Sequence, residues 1–218
     1  MLCRLYRTGH SNQLCATAFV TFQNDFGISL GEVTLLITFN FLIQLGVDFL
    51  SAYFADRVGY RISLIAAHLF AAAGLLFISE LPFIMDNAYV ALMISVAVYA
   101  VGGGLLEVLI SPVVEACPTK NKEKEMSLLH SFYCWGFVAV ILISTLFFHI
   151  FGIESWRIMA KFWMIVPLVN MVAFFFVPIY DIVPEEKKMG KAKLFSSRMF
   201  WLFFFMMIAS GASEQAVG

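Results

Sequence analysis

Five long apolar runs dominate this sequence and restrict it to a fold embedded in a membrane. They cover residues 33–54, 62–79, 88–114, 128–151 and 158–179. A helix needs about 20 mainly apolar residues to cross a bilayer core. The runs are too long for strands and lack alternating polarity, and in lipid the backbone must satisfy its own hydrogen bonds. The sequence therefore predicts an all-α membrane protein.

Composition and missing motifs exclude several other classes of protein. The chain is 61% hydrophobic and 13% charged, against about 45–50% and 25% in soluble domains. Its net charge of −1 gives no reason to expect nucleic acid. The four cysteines form no CxxC pair or zinc-like spacing, so we expect no metal site. Without a Walker loop, HExxH or GxSxG, we expect neither an enzyme nor a cofactor.

The N-terminal segment allows two interpretations. Residues 5–22 include a short apolar core, and several basic residues closely precede that core, as in a signal peptide. The segment after it, 21–25, is a poor cleavage site, so a short first membrane helix is the favoured interpretation.

Basic residues alternate with acidic ones along the loops, and this pattern predicts an orientation. The loops at 23–32, 80–87 and 152–157 are acidic, whereas every Lys and Arg except Arg157 and Lys161 falls on the other side. Lys and Arg mark the cytoplasmic side. We therefore expect a multi-pass protein of the plasma (inner) membrane with a cytoplasmic N-terminus.

The same pattern divides the chain into three parts. We predict a transmembrane bundle over 1–182, a cytoplasmic linker over 183–198 and the start of a seventh helix over 199–218. The linker is basic, which indicates either a solvated connection or a surface attracted to anionic lipid.

A short charged turn between the second and third helices is a candidate gating motif. Gly59 can adopt the positive φ that a tight reversal needs. Asp48 lies eight residues before Asp56, a spacing that returns to a similar helix face. We interpret the charges as a cluster that holds helices together in one conformational state and releases them in another. The alternative is that they only anchor the turn at the membrane edge. The motif comprises Asp48, Asp56, Arg57, Gly59 and Arg61.

This turn resembles the signature loop of the major facilitator superfamily, Gly-x-Leu-x-Asp-Arg-x-Gly-Arg-Lys/Arg. The sequence departs from it at Ala52, Phe54 and Tyr60. The resemblance implies twelve helices in two halves, of which this chain would supply a six-helix N-terminal bundle plus the start of a seventh helix. On that basis we expect a fragment, with a missing C-terminal six-helix half as its partner.

A finer resemblance points to the fucose permease branch of sugar transporters. It rests on Gly102, Gly103, Gly104 and Glu107, followed by Pro112. These residues lie in the predicted helix 4 (88–114), when 5–22 is counted as helix 1. That branch uses the helix 4 Glu in proton coupling, so the resemblance implies this role for Glu107. The acidic residue that the branch carries in helix 1 is replaced here by Ala16.

Polar groups inside the predicted helices are the candidate pathway for substrate and protons, because ionisable side chains in membrane helices are costly. Glu107 is interpreted as a proton carrier or hydroxyl acceptor, with a packing role as the alternative. The glycine triplet permits close helix approach or flexibility, and Pro112 predicts a kink. Gln44 is expected to line the cavity.

The start of the predicted helix 5 (128–151) supplies three more candidates. His130 is placed to approach Glu107 and Glu115 and suits a proton relay, or it is an interfacial histidine. Tyr133 and Trp135 either offer aromatic faces on which a sugar stacks or serve in packing. Together these residues predict a secondary transporter working by alternating access, with proton-coupled movement of a sugar or other small polar solute. The alternatives are a non-transporting membrane scaffold and an efflux transporter of the same superfamily.

Overall fold

Most of the described structure is helical. The computed structural model describes residues 26–180 and 196–217, without the side chains of 52–54, 56 and 210–217. The predicted first helix, 5–22, lies outside the described residues, as does most of the predicted linker. Within the described ranges there is no strand, and the prediction of an all-α protein is confirmed. The helices are α1 (Leu30–Val58), α2 (Tyr60–Ile84), α3 (Ala88–Ala116), α4 (Lys122–Phe151), α5 (Trp156–Phe176) and α6 (Arg198–Val217).

The first five helices have the length and composition of membrane spans. Five apolar segments meet this criterion among the described residues: Leu30–Ser51, Tyr60–Ile84, Ala88–Ala116, Lys122–Phe151 and Ile153–Phe176. The last of these includes a 3-10 turn at Ile153–Ser155 that leads into α5. By sequence, length and composition, the chain is therefore a multi-pass membrane protein.

Polar caps extend several helices beyond their apolar runs. Ser29 caps α1 in a reciprocal pair with Glu32: the Glu32 N–H donates to Ser29 Oγ and the Ser29 N–H donates to the Glu32 carboxylate. Asn121 caps α4 by accepting from the Lys124 N–H at 3.1 Å. Such caps satisfy N–H groups that have no partner in the first helical turn. For this reason α4 begins six residues before the apolar run at 128.

Helix α2 lies at the centre of the bundle and packs against α3 and α5, while α1 packs mainly against α3. One apolar cluster lies at the end where Gly59 joins α1 to α2, which we call the Gly59 end. A second lies at the end where residues 85–87 join α2 to α3, which we call the Asn87 end. The first cluster contains Ala55, Leu64, Ala67, Leu105 and Leu109, and the second contains Ile28, Leu36 and Leu92.

Two glycines allow the backbones of α2 and α3 to approach closely. A Cβ atom on Gly102 would lie 2.4 Å from the Ala71 nitrogen and 2.7 Å from the Ala67 carbonyl oxygen. A Cβ atom on Gly74 would lie 2.5 Å from the Tyr99 Cα. Small residues are the usual means of close packing between membrane helices, because lipid provides no hydrophobic drive for association. The α2–α3 contact therefore depends on having no side chain at these positions.

Helix α4 differs from this packed centre. No side chain of α4 is buried in the described structure, and its Ser144 hydroxyl accepts a hydrogen bond from the Trp163 indole of α5 at 3.1 Å. The described residues 196–217 belong to a second unit. Its helix α6 begins with rings at Phe200, Trp201, Phe204 and Phe205 that contact one another at helical spacing.

Candidate functional site

Polar side chains line the face of α1 that meets α3. Asn40, Gln44 and Asp48 recur every four residues and therefore share one helix face, and the Asn40 amide donates to Gln44 Oε1 at 3.4 Å. Opposite them, α3 presents Gly103 and Gly104. A Cβ atom on Gly103 would lie 3.3 Å from Gln44 Nε2, and one on Gly104 would lie 3.4 Å from Asp48 Oδ1. We call these five residues the polar seam.

Two carboxyl groups lie at one end of the polar seam. Glu107 follows Gly104 by three residues, which places it on a neighbouring part of the α3 surface. The Glu107 side chain is exposed, whereas Asp48 is half-buried. Within residues 26–180 and 196–217, Glu107 forms no hydrogen bond or ion pair, and Asp48 Oδ1 is buried without a hydrogen-bond partner. The seam and the neighbouring Glu107 therefore bring amide and carboxyl groups into the membrane-spanning part of the bundle.

The sequence predicts that Asp48 belongs to the charged turn. The eight residues between Asp48 and Asp56 correspond to a rise of about 12 Å along an α-helix, so the shared face does not bring the two groups together. Packing against the glycines of α3 decides the neighbours of Asp48 instead. Asp48 therefore lies near Gly104, on the same helix face as Gln44, and its part in the gating motif stays a prediction.

The charged turn connects α2 to α5. Gly59 has φ +94°, as expected for a tight reversal between α1 and α2. Arg61 Nη1 donates to the carbonyl oxygens of Phe174 at 2.7 Å and Phe175 at 3.0 Å. These oxygens lie in the last turn of α5, where carbonyls have no intrahelical donor and the helix dipole favours a cation. Arg57 is exposed, and the side chain of Asp56 lies outside the described structure.

The three candidates on α4 are not brought to the polar seam. In the part of the chain that the structure describes, no hydrogen bond or ion pair joins His130 to Glu107 or Glu115. Tyr133 and Trp135 are 74% and 71% exposed. No described α4 side chain is buried. The predicted approach of His130 to the carboxylates of α3 stays a prediction.

The glycine triplet faces two different helices. Gly102 packs against the backbone of α2, while Gly103 and Gly104 face α1. The triplet therefore permits close approach to both helices, and its role in helix flexibility stays a prediction. Pro112 lies inside α3, which continues as a helix to Ala116.

A charged network that sequence reasoning missed lies at the Asn87 end. Arg157 donates to the Ser79 carbonyl and to a Glu80 carboxylate oxygen, both at 2.9 Å, and Lys161 forms an ion pair with the other Glu80 oxygen. The Arg157 guanidinium also lies 4.0 Å from the centre of the Phe83 ring. The sequence contained one signal for it, since Arg157 and Lys161 are the two basic residues on the acidic side. The network joins the end of α2 to the start of α5.

We expect Glu80→Gln to lower the stability of the bundle by about 1 kcal/mol, because partly exposed ion pairs contribute up to about this much. The loss should shrink at high salt, since mobile ions screen exposed charges. Thermal unfolding of the purified protein at two salt concentrations measures both effects. Asp86→Asn is the matched control, because Asp86 is an exposed acid at the same end. Equal losses for the two variants at both salt concentrations would contradict the prediction.

The fold and the seam define a class of protein: a multi-pass helical membrane protein with polar groups enclosed between helices. The family model described as Major Facilitator Superfamily matches residues 9–217, and the chain therefore belongs to the major facilitator superfamily, a family of membrane transporters. No curated protein and no solved structure matches the chain. The match concerns the superfamily as a whole, so the resemblance to the fucose permease branch stays a prediction.

Proposed function

We propose that this protein is a secondary active transporter of the plasma membrane that works by alternating access and couples protons to a sugar or other small polar solute. The observation that carries the proposal is Glu107, an exposed carboxyl group within the long apolar helix α3 that has no ion-pair partner among the described residues. Whether Glu107 faces a partner or a water-filled cavity therefore decides whether it can carry a proton.

A charged group in this position is costly in lipid. Insertion scales assign about 2.5–3.5 kcal/mol to an acidic or basic residue at the centre of a membrane helix, and such residues usually face a partner or a water-filled cavity. A cavity that opens alternately to the two sides of the membrane would give Glu107 water and protons. This is the setting in which a carboxyl group can take up a proton on one side and release it on the other.

The polar seam supports a small polar solute as the substrate. Asn40 and Gln44 offer amide donors and acceptors on the same helix face as the carboxyl group of Asp48, and sugar hydroxyls pair with such groups. In this proposal His130 relays protons, while Tyr133 and Trp135 serve as aromatic platforms once a second half of the transporter faces them. That half, six helices by analogy with the superfamily, would complete a cavity near the membrane midplane.

The charged turn is proposed to change its contacts between the inward-open and outward-open states. Its residues Asp56, Arg57 and Gly59 lie at the Gly59 end, which the distribution of Lys and Arg assigns to the cytoplasm along with the N-terminus. Uptake is favoured over efflux because helix α4 lacks the Gly-x-x-x-Gly-Pro pattern of drug antiporters.

The test is transport by the complete protein in proteoliposomes under an imposed pH gradient, with a panel of radiolabelled sugars. We expect accumulation of at least one sugar by the wild type. We expect Glu107→Gln to abolish that accumulation while solute exchange across the membrane continues, because exchange needs no net proton movement. The matched control is Glu115→Gln, an exposed acid near the end of the same helix. Undiminished accumulation by Glu107→Gln would disprove the proton role.

A further inference from the structure

We propose that the start of α5 binds an anionic phospholipid, whose phosphate group is held by Arg157 and Lys161 and whose acyl chain lies along the apolar side chains that follow them. The site lies at the Asn87 end and does not depend on the proposed transport. Two observations support it. The charged network at this end has more positive than negative charge, and the same face of α5 continues as an apolar groove.

The charge of the network is the first observation. Arg157 and Lys161 both pair with the single carboxylate of Glu80. Two cations and one carboxylate leave one positive charge unbalanced. Within the described ranges, none of the other acids at this end forms an ion pair with either cation: Glu32, Asp86 and Glu154. The network can therefore accept one further negative charge.

Both cations lie within a membrane span and are open to their surroundings. The span is Ile153–Phe176, so Arg157 and Lys161 lie about 6 and 12 Å along the helix from its start. Their side chains are 36% and 46% exposed. Cations within a span are costly unless they meet a partner or reach the interface. A lipid phosphate is a suitable partner, because it accepts strong hydrogen bonds from Arg and Lys.

Aromatic rings around the network indicate that it lies at the depth of the lipid headgroups. Trp156 stacks on Phe83 with ring centres 6.3 Å apart, and Phe26 lies 5.3 Å from Phe83. Trp is enriched where the membrane meets water, because its ring is apolar and its N–H is polar. The unbalanced charge thus lies where a phospholipid carries its phosphate.

The second observation is the surface of α5 beyond the cations. Ile165, Leu168, Val169 and Val172 line a shallow apolar groove, and all but Leu168 are exposed. Leu168 follows Lys161 by seven residues and Val172 follows it by eleven, spacings that return to nearly the same helix face. The groove leads from the cations towards the other end of the span, the direction in which an acyl chain extends. A free anion has no chain for this groove, so the combination favours a lipid.

The experiment maps lipid contacts on the complete protein in phosphatidylcholine vesicles. The probe is phosphatidylglycerol with a photoactivatable diazirine in one acyl chain, and phosphatidylcholine with the same chain is the control lipid. Mass spectrometry of the cross-linked peptides measures labelling of the groove. We expect the anionic probe to label Ile165–Val172 more strongly than the control lipid. Equal labelling by the two lipids would overturn the proposal, as would loss of labelling in excess inorganic phosphate, which would indicate a site for a free anion.

Two charge variants separate lipid binding from a purely structural ion pair. Lys161→Gln should lower the preference for the anionic probe about fivefold, the factor that one basic residue contributes near an anionic leaflet. Glu80→Gln should keep or raise this preference, because both cations remain while the competing carboxylate is removed. Both variants break the ion pair between Glu80 and Lys161. Equal losses of preference in the two variants would therefore overturn the proposal.

A pair of groove variants tests the seat of the acyl chain without changing any charge. Val169→Trp should fill the groove and lower labelling of Ile165 and Val172 by the anionic probe. Val166→Trp is the matched control, since Val166 is exposed on the same helix but does not line the groove. This test stands even if Lys161→Gln does not fold. Equal labelling of the two tryptophan variants would overturn the assignment of the groove to an acyl chain.

Discussion

Replacing Gly102 with alanine is expected to destabilise the bundle by about 3 kcal/mol, toward the upper end of the cost of overpacking a core. The added methyl group would lie 2.4 Å from the Ala71 nitrogen and 2.7 Å from the Ala67 carbonyl oxygen. Both atoms belong to the backbone of α2, so no side-chain rotation can relieve the contact. The helices α2 and α3 would have to move apart, and the contact between Gly74 and Tyr99 would open with them.

Equilibrium unfolding of the purified protein in mixed detergent and SDS measures this loss. Gly46→Ala is the matched control, because Gly46 is also helical and a Cβ atom there would meet no atom within 4 Å. The control should be neutral or up to about 1 kcal/mol more stable, since alanine favours a helix more than glycine does. Similar stabilities of the Gly102 and Gly46 variants would mean that α2 and α3 do not pack as described.

Replacing Arg61 with glutamine is expected to cost about 2 kcal/mol, because hydrogen bonds to charged groups contribute roughly 1.5–3 kcal/mol. The variant loses the bonds from Nη1 to the Phe174 and Phe175 carbonyl oxygens. Those oxygens then lack a donor at the end of α5, and the favourable interaction of a cation with the helix dipole is also lost. The end of α5 should loosen from the start of α2.

Thermal unfolding and hydrogen exchange of the Phe174–Phe176 region measure the effect of the Arg61 variant. Arg57→Gln is the matched control, since Arg57 lies in the same charged turn but is exposed. Only Arg61→Gln should increase exchange at the end of α5. If the two variants show the same stability and exchange, the Arg61 contact contributes nothing measurable.

These contacts give the charged turn a second role beside the proposed gating. Arg61 holds α2 to α5 at the Gly59 end, and the Glu80 network holds the same two helices at the Asn87 end. Because α2 also packs against α3 through Gly74 and Gly102, these three helices form the packed centre of the bundle. The polar seam lies at the edge of this centre, where α1 meets α3.

Several features of the fold could be predicted because they depend on local chemistry. Apolar runs of the right length predict membrane helices wherever they occur, and Gly59 predicts a tight turn because few other residues adopt its positive φ. The ends of helices were less predictable. The polar first turn of α4 from Lys122 belongs to the helix because Asn121 caps it, and an apolar count does not detect such a turn.

The candidate site was only partly predictable, because it depends on contacts between residues far apart in the chain. Gln44, Glu107 and the glycine triplet were recognised as unusual in apolar helices. The sequence did not indicate that Gly102 faces α2 while Gly103 and Gly104 face α1, since a glycine has no side chain whose polarity reveals its neighbour. The assignments of Asp48 to the charged turn and of His130 to the neighbourhood of the α3 carboxylates stay predictions.

The order of apolar and charged residues was sufficient to define a helical membrane protein and its tight turn, because lipid leaves an apolar segment of this length little alternative to a helix. The tertiary structure alone decided which polar groups meet. Arg61 bonds Phe174 across 113 residues, and Asp48 lies beside Gly104 because the glycines let α1 approach α3. Such pairings depend on how helices pack against one another, a property that no single helix carries in its own sequence.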